Sequence, residues 1–549
     1  MNGIEELLRR AGVDGRRLRT ALALLGDGRW WTLAALVRET ATSRRAIEAL
    51  LRAVEAETGA GVGVEAGAGA GAGAGARAGV GALLERSGDR FRLREPLPGL
   101  SAAPHGPADP VAHLLGGHAE LLATVEELVA RAPRGRQALD HVAATADTVV
   151  RRALLMDARF WLPGARILCV GDHDLTSLAT ALLRPDAEVA AVDLDERILA
   201  YIAEQADRLG VTVRTRWADL RLGLPASVQG WADLAVTDPP YTPEGIGLFA
   251  SRAVEGLADR EHGRVLLAYG AGEHTPALAL KVQHALSALN LVSEAIYPDF
   301  NRYHGAEAIG SAADLYVLRP TTKTWPAVAA RVDGFGAAIY THGPQSIESR
   351  PADVAATAAP GLPAEGLSPA VLVGEWPRDT LPKVPRARLA TWLAKPYAAD
   401  PAEVAVAVPA GMEAVLPRLL LATRARRVRA WTAAPAGDPA AGPLSHVYEL
   451  TVTGRTVDAV RRPLPETAHG RVLRRILDNA HGKLANTWRE ALIRERGELT
   501  KRQAKAVVAE AAPWSADVTA LELPAHRLAE LPAAVAASLA APAADGPRR

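Results

Sequence analysis

Between Thr145 and Pro320 short apolar runs alternate with stretches whose hydrophobic positions recur every three or four residues. The runs ARILCVG, EVAAVDLD, VTVRTRWAD, ADLAVTD and RVLLAYG predict strands. The stretches around them predict helices over Thr148–Phe160, Thr176–Leu183, Glu196–Leu209, Gly245–Leu257 and His274–Leu289. LVSEAIYPDF and DLYVLRP then close the segment as an antiparallel hairpin. Strands that are apolar throughout and separated by helices imply a mainly parallel sheet covered on both faces, with its ligand crevice at the carboxyl ends of the strands.

The fold class expected is therefore α/β, a Rossmann-like sheet of the class I methyltransferase type, the final hairpin being that variation on the theme. It is preceded by a helical pattern over Val111–Ala132. Upstream, Arg17–Leu25, Thr32–Arg38 and Ser43–Glu57 read as helices, the last with Ser43 as N-cap and Ala46, Ile47, Leu50, Leu51 and Val54 on one face. Strands at Ala82–Arg86 and Arg90–Arg94 follow, turned through Ser87-Gly88-Asp89, and this order is that of a winged helix. Arg44, Arg45 and Arg52 are expected to point outward from its third helix, which suits nucleic acid or protein docking; inside an enzyme, docking is the preferred reading.

The domain organisation expected is a winged helix over 1–95 with a Gly/Ala insert at 59–80, a linker at 96–110, the catalytic unit over 111–323 and a carboxy-terminal domain over 324–549. In that last domain Pro351–Pro363 reads as a linker, Glu403–Pro409 and Val447–Val452 as strands, and Arg471–Arg496 and Leu499–Glu510 as basic amphipathic helices. The final residues, AVAASLAAPAADGPRR, are expected to fray. The extension reads as α/β or mostly helical, open to dimerising the chain, covering the site or binding a partner.

Composition changes this picture little. A chain of 549 residues with net charge +1, 23% charged and 49% hydrophobic residues holds several cores and has no polyelectrolyte character to declare a nucleic-acid partner. Cys169 is the only cysteine, which excludes an internal disulfide and a thiolate cluster and suits a reducing cytoplasm. No run approaches the roughly twenty apolar residues of a spanning helix, and MNGIEELLRRAG is too charged for a secretion signal, so a cytoplasmic protein is expected. His105, His113, His118, His262, His274 and His284 lack acids at ligand spacing, so no structural metal is expected.

The chemistry concentrates where the strands end. The first ends in Gly171-Asp172-His173-Asp174, the second in Asp193 and Asp195, the third in Asp219 and the fourth in Asp238-Pro239-Pro240-Tyr241. A parallel sheet brings these together, and an acid after the second strand suits the hydroxyls of a ribose. Read as helix N-caps instead, Asp195 is well explained and Asp174 partly. The first turn has one glycine and two acids where a dinucleotide needs room and positive potential for its pyrophosphate. A crevice so acidic prefers a cation, such as a sulfonium.

The blocks VGDHDLTSLA, AVDLDERI, ADLR, ADLAVTDPPYTPEGI and YPDFNRYHGAEAIGSAADLYVLRP, in this order over about residues 111–320, resemble those of the N4-bis(aminopropyl)spermidine synthases, the branched-chain polyamine synthases. The resemblance implies transfer of an aminopropyl group from decarboxylated S-adenosylmethionine to an amine nitrogen of a polyamine-like acceptor. It implies Asp172, Asp174, Asp238 and, in place of a family acid, His173 as catalytic residues. Gly171 and Asp172 would meet the sulfonium side, Asp193 the ribose and Asp219 with Leu220 the adenine, while Asp238 and Pro239 shape the junction with the acceptor. Pro240, Tyr241, Tyr297, Asn301 and Tyr303 would line the acceptor pocket. His173 and Tyr241 each stand where the family has an acid, which points to a smaller or less charged amine, or to full S-adenosylmethionine as donor. A neutral imidazole at position 173 is expected to serve as base near pH 7.

Asp-Pro-Pro-Tyr alone also fits an S-adenosylmethionine-dependent amino-group methyltransferase, which holds the target amine with the carboxylate and stacks an extruded base on the tyrosine. A third reading is a DNA-binding regulator that uses the pocket as a polyamine or nucleoside sensor.

Overall fold

The computed structural model describes residues 2–59, 83–103, 109–272, 275–332, 338–343, 346–347, 368–433 and 443–542. The Gly/Ala insert beyond its first residue, the Pro351–Pro363 linker and the last seven residues lie outside them. Three sheets organise the described residues, of three, seven and six strands.

The first sheet is antiparallel, β1 (Trp31–Thr32), β3 (Arg90–Leu93) and β2 (Leu84–Ser87) in that order across it. It packs with helices Gly15–Leu25, Leu33–Thr40 and Arg44–Gly59 around Leu22, Leu36, Ile47 and Leu50. Two features depart from the sequence expectation. A helix over Asn2–Ala11 precedes the three expected ones, and Thr32 ends a strand before capping the next helix, accepting from the Ala35 amide at 3.1 Å.

The second sheet has the order β6 (Val213–Trp217), β5 (Glu188–Asp193), β4 (Arg166–Val170), β7 (Leu234–Thr237), β8 (Arg264–Tyr269), β10 (Ala312–Pro320), β9 (Leu291–Arg302). Strands β4 to β8 are parallel, β10 runs antiparallel to β8, and β9 antiparallel to β10. Alternate residues feed opposite cores: Leu168, Val170, Ala235, Val265 and Leu267 pack with the helix Pro243–Gly256, while Ile167, Leu234, Val236 and Leu266 pack with the helix Ala146–Arg159. This double coverage is why the strands read as unbroken apolar runs. The expected single helix over Val111–Ala132 is interrupted: Gly116-Gly117 turns it through a 3₁₀ segment between Ala112–Leu115 and Ala119–Arg131.

The third sheet has the order β12 (Arg386–Ala387), β11 (Val371–Val373), β13 (Glu403–Val408), β14 (Arg427–Thr432), β16 (Thr456–Arg461), β15 (Tyr448–Thr453). The carboxy-terminal region is thus α/β. Its helices correct two expectations. The basic stretch forms two helices, Ala468–Asp478 and Leu484–Arg496, and residues 534–540 of the segment expected to fray end the helix Ala525–Ala540, with Val535 and Ser538 buried.

The three units touch. One hydrophobic core runs from Leu178, Ile198, Ile202 and Trp217 of the second sheet and its helices to Leu416, Leu419 and Leu531 of the carboxy-terminal region. Arg418 lies 4.2 Å above the Trp217 ring and donates to Glu196 Oε1 at 2.6 Å and to the Leu523 carbonyl at 2.8 Å. On the other side, Arg17 pairs with Asp299 at 2.9 Å and Arg44 with Glu307 at 2.7 Å. No helix among the described residues is long and apolar enough to cross a membrane.

Candidate active site

The carboxyl ends of β4, β5, β7 and β8 open on a crevice of about 570 Å³. Gly171, His173, Asp174, Asp193, Asp219, Leu220, Asp238, Pro240, Tyr241 and Tyr303 all line it, so most of the expected site residues converge. Gly171 turns the chain there with φ +73°, and a Cβ on it would sit 3.1 Å from the Phe249 ring. Both conditions select glycine.

At the end of β5 Asp193 accepts the backbone amides of Asp172 at 2.9 Å and Asp195 at 2.8 Å. Burial pushes its carboxyl up, and these amides oppose the shift. Asp195 caps the helix Glu196–Leu209, accepting from the Arg197 amide, as expected. Asp219 differs from expectation. Arg221 grips it from both sides, Nε on Oδ1 at 2.8 Å and Nη2 on Oδ2 at 2.6 Å, so its oxygens meet an internal cation before any adenine.

Asp172 is not a wall of the crevice. Its buried carboxylate accepts the Ser177 amide at 3.2 Å, in the first turn of the helix Thr176–Leu183, and burial raises it to about 8. The carboxyl thus lies buried beneath the turn that follows β4. Asp174 is not the N-cap either: it accepts from the Ala144 amide at 3.1 Å and Arg152 Nη1 at 2.7 Å.

His173 stacks on His141, their rings 4.4 Å apart and 15° from parallel, and neither Nδ1 has a hydrogen-bond partner among the described residues. Burial, followed by the neighbouring imidazole, pushes His173 down to about 4. A base near pH 7, expected from the sequence, is therefore not what the fold makes of it. The ring stays neutral and weakly basic.

The surroundings of Asp238 are built around a residue that the sequence expectation missed. Arg152, fully enclosed, directs Nη2 to Asp238 at 2.5 Å, Nη1 to Asp174 at 2.7 Å and Nε to Asn301 at 2.8 Å. Tyr303 donates to Asp238 at 2.8 Å, and the Tyr241 hydroxyl lies 2.8 Å from that of Tyr303 and 3.1 Å from Asp238 Oδ1. Burial pushes Asp238 up while Arg152 pulls it down. Both phenols are held well above their ordinary range by burial, then by the Asp238 charge. Asn301 thus positions Arg152 and does not line the crevice. Tyr297 is outside it too, accepting from Arg159 at 3.2 Å on the far side of β9. Pro239, between two lining residues, is not a wall itself.

Arg152 left a signal in the sequence. Its neighbours at helical spacing include the apolar Val149, Leu155 and Met156, and an arginine on such a face needs buried partners. Arg221, His141 and Tyr340 also line or border the crevice and carried no such signal. Asp140, Asp174, Asp193, Asp219 and Asp238 line the crevice, and three of them are paired with buried arginines, Asp174 and Asp238 with Arg152 and Asp219 with Arg221.

Strand order, the antiparallel last pair and a crevice at the strand ends define the central unit as an α/β domain of the class I methyltransferase type. Residues 120–333 match the family described as the branched-chain polyamine synthase A C-terminal domain. An uncharacterized protein of Methanocaldococcus jannaschii is 40% identical over 193 residues, 35% of this chain and 48% of that one. The N(4)-bis(aminopropyl)spermidine synthase of Thermococcus kodakarensis is 34% identical over 139 residues, 25% of this chain and 40% of that one. The chain thus spans less than half the length of these curated relatives. The branched-chain polyamine synthase of Thermus thermophilus, solved with N4-aminopropylspermidine and 5′-methylthioadenosine, superposes with a TM-score of 0.40 at 20% identity, over 58% of this chain and 91% of that one.

Proposed function

We propose that this protein transfers an aminopropyl group from decarboxylated S-adenosylmethionine to an amine nitrogen of a polyamine-like acceptor. The observation that carries the reading is one crevice with Asp193 at one end and the Asp238–Tyr303–Tyr241–Arg152 group at the other. A donor and acceptor that are both cations need fixed negative charge between them, and the net acidic lining supplies it. Asp193 suits the ribose hydroxyls. Leu220 and Tyr340 offer apolar surface for the base.

The amine lone pair attacks the carbon next to the sulfonium, the C–S bond breaks with its electron pair going to sulfur, and methylthioadenosine leaves. The proton that the nitrogen loses goes to Asp238, whose burial makes it a stronger base than a carboxylate in water. Arg152 and Tyr303 keep that carboxylate aimed. Because Arg152 also offsets Asp174 and Asp238, the acceptor end favours an amine of lower charge than a fully protonated long polyamine.

Methylation of a nucleic-acid base is the weaker reading, since the Tyr241 hydroxyl is engaged with Tyr303 and its ring meets Tyr269 edge-on at 72° rather than lying free for stacking. A sensor without turnover would keep its ligand after Asp238→Asn, whereas an enzyme loses its rate. We read the amino-terminal unit as a winged helix, and its helix Arg44–Gly59 spends Arg44 on Glu307, which supports docking onto the catalytic unit over a grip on nucleic acid. We take 1–95, 111–323 and 324–549 as the domains and, with Cys169 as sole and buried cysteine, a reducing cytoplasm as the setting.

The test is a paired incubation with S-adenosylmethionine or its decarboxylated form, each against spermidine, a monoamine and duplex DNA, read by mass analysis. Methylthioadenosine with an acceptor heavier by one aminopropyl unit supports the proposal. S-adenosylhomocysteine with methylated DNA overturns it.

A further inference from the structure

The second and third sheets share one plan. Leaving out β6, the second sheet reads β5-β4-β7-β8-β10-β9; the third reads β12-β11-β13-β14-β16-β15. In chain order both are second, first, third, fourth, sixth, fifth. Directions agree as well: four parallel strands, then one antiparallel to the fourth, then its antiparallel partner. Short sequence echoes fall at equivalent strands: RILCVG and AVLVG, ADLAVTDPP and AEVAVAVP, GRVLLAY and RRVRAWT.

The ladders give the correspondence residue by residue. Val170 stands opposite Val192 and Thr237, and Val373 opposite Ala387 and Val406. Gly374 then matches Gly171, and both have positive φ, +93° and +73°. One step further along each strand, Arg388 takes the place of Asp193 and Ala407 that of Asp238, while Glu375, exposed, stands for the buried Asp172. Trp376 stands for His173. Its indole is buried with Leu372, Ala405, Ala407 and Trp431, edge-on to Trp431 at 5.4 Å, and donates to the Val373 carbonyl at 2.9 Å. A large apolar ring thus occupies the strand ends where the first copy has its crevice.

The loop after β13, equivalent to the Asp-Pro-Pro-Tyr loop after β7, has another use. The Gly411 carbonyl accepts from Arg221 Nη2 at 3.1 Å, the same nitrogen that holds Asp219 Oδ2 at 2.6 Å. Arg221 is buried, and a second oxygen fixes the fork that would otherwise answer to Asp219 alone. We infer that residues 371–461 are a second copy of the catalytic sheet whose ligand crevice has been closed by Trp376, and whose β13 loop serves as a clamp that positions Arg221 and Asp219 in the donor crevice of the first copy. The clamp's effect on ligand affinity rests on the proposed function; the duplication and the contact do not.

The test uses the full chain and two readouts. Gly411→Val places a branched side chain at φ +73° and should displace the carbonyl; Arg221→Lys keeps the charge but loses the fork. Hydrogen exchange at the amides of residues 221–223 should rise in both variants. Calorimetric titration with 5′-methylthioadenosine should give one site per chain, bound about tenfold more weakly in both. Trp376→Ala should leave one site with unchanged affinity. Two sites per chain in the parent protein, or exchange unaltered in both clamp variants, would overturn the inference. Faster exchange in a protein that binds no methylthioadenosine would uphold the clamp and sink the proposed chemistry instead.

Discussion

Arg152 governs the site at the level of single residues. Its guanidinium meets Asp174, Asp238 and Asn301 from three different nitrogens, a spread that a rigid planar fork matches better than the single nitrogen of an ammonium. Arg152→Met leaves two buried carboxylates without their cation and should cost about 3–5 kcal/mol of stability, measured by denaturant unfolding. Arg152→Lys should fold better yet regain little turnover. The imidazole at 173 makes the opposite point. Held at about 4, it stays neutral from pH 6 to pH 9, so the kcat profile should show no inflection near 6.5 that His173→Gln removes. Asp172 couples the site to stability. Its carboxyl lies near 8 in the fold against roughly 4 in an unfolded chain. The folded form therefore gains from the bound proton, a contribution complete below about pH 4 and lost as pH rises through about 8. Asp172→Asn should gain in Tm over the parent as pH goes from 5 to 9; a gap that narrows instead would contradict this.

At the scale of elements, the segment after β9 joins two units. Ala306, Ala308 and Ile309 line the crevice, Glu307 between them pairs with Arg44, and Gly310 lies so close to Ala41 that an added Cβ would come within 2.7 Å of its carbonyl carbon. Gly310 also has φ +82°. Gly310→Ala is thus strained twice over and should cost roughly 1–3 kcal/mol. Its effect should appear as faster hydrogen exchange at both 306–311 and 40–43, because the two segments lose one contact between them. Arg44→Ala, at an exposed ion pair, should change stability little and should leave nucleic-acid binding, if any is measured, unaffected.

For the whole molecule, the crevice belongs to a middle unit braced from both sides. Arg418 binds the carboxy-terminal region to the helix Glu196–Leu209 through Glu196 and covers Trp217 at the sheet edge. Arg418→Met keeps much of the packing and removes the charged hydrogen bonds. A loss of roughly 1.5–3 kcal/mol is expected, with β6, the edge strand that Arg418 covers, showing the earliest exchange.

Local pattern determined the elements of the middle unit, because strands buried on both faces must be apolar throughout and the helices between them must carry a stripe. The same logic located the acids at the strand ends, since topology alone brings those positions together. It was silent on the partners those acids find. Arg152 reaches Asp238 across 86 residues and Arg221 reaches Gly411 across 190, distances at which no periodicity connects two side chains. Protonation followed from the same tertiary choices: His173 reads as a base by residue type, but its burial against His141 is a property of packing. The kinship of the two sheets, too, is written in strand order and register, which persist when the residues at the strand ends have changed from acids to Arg388, Trp376 and Ala407.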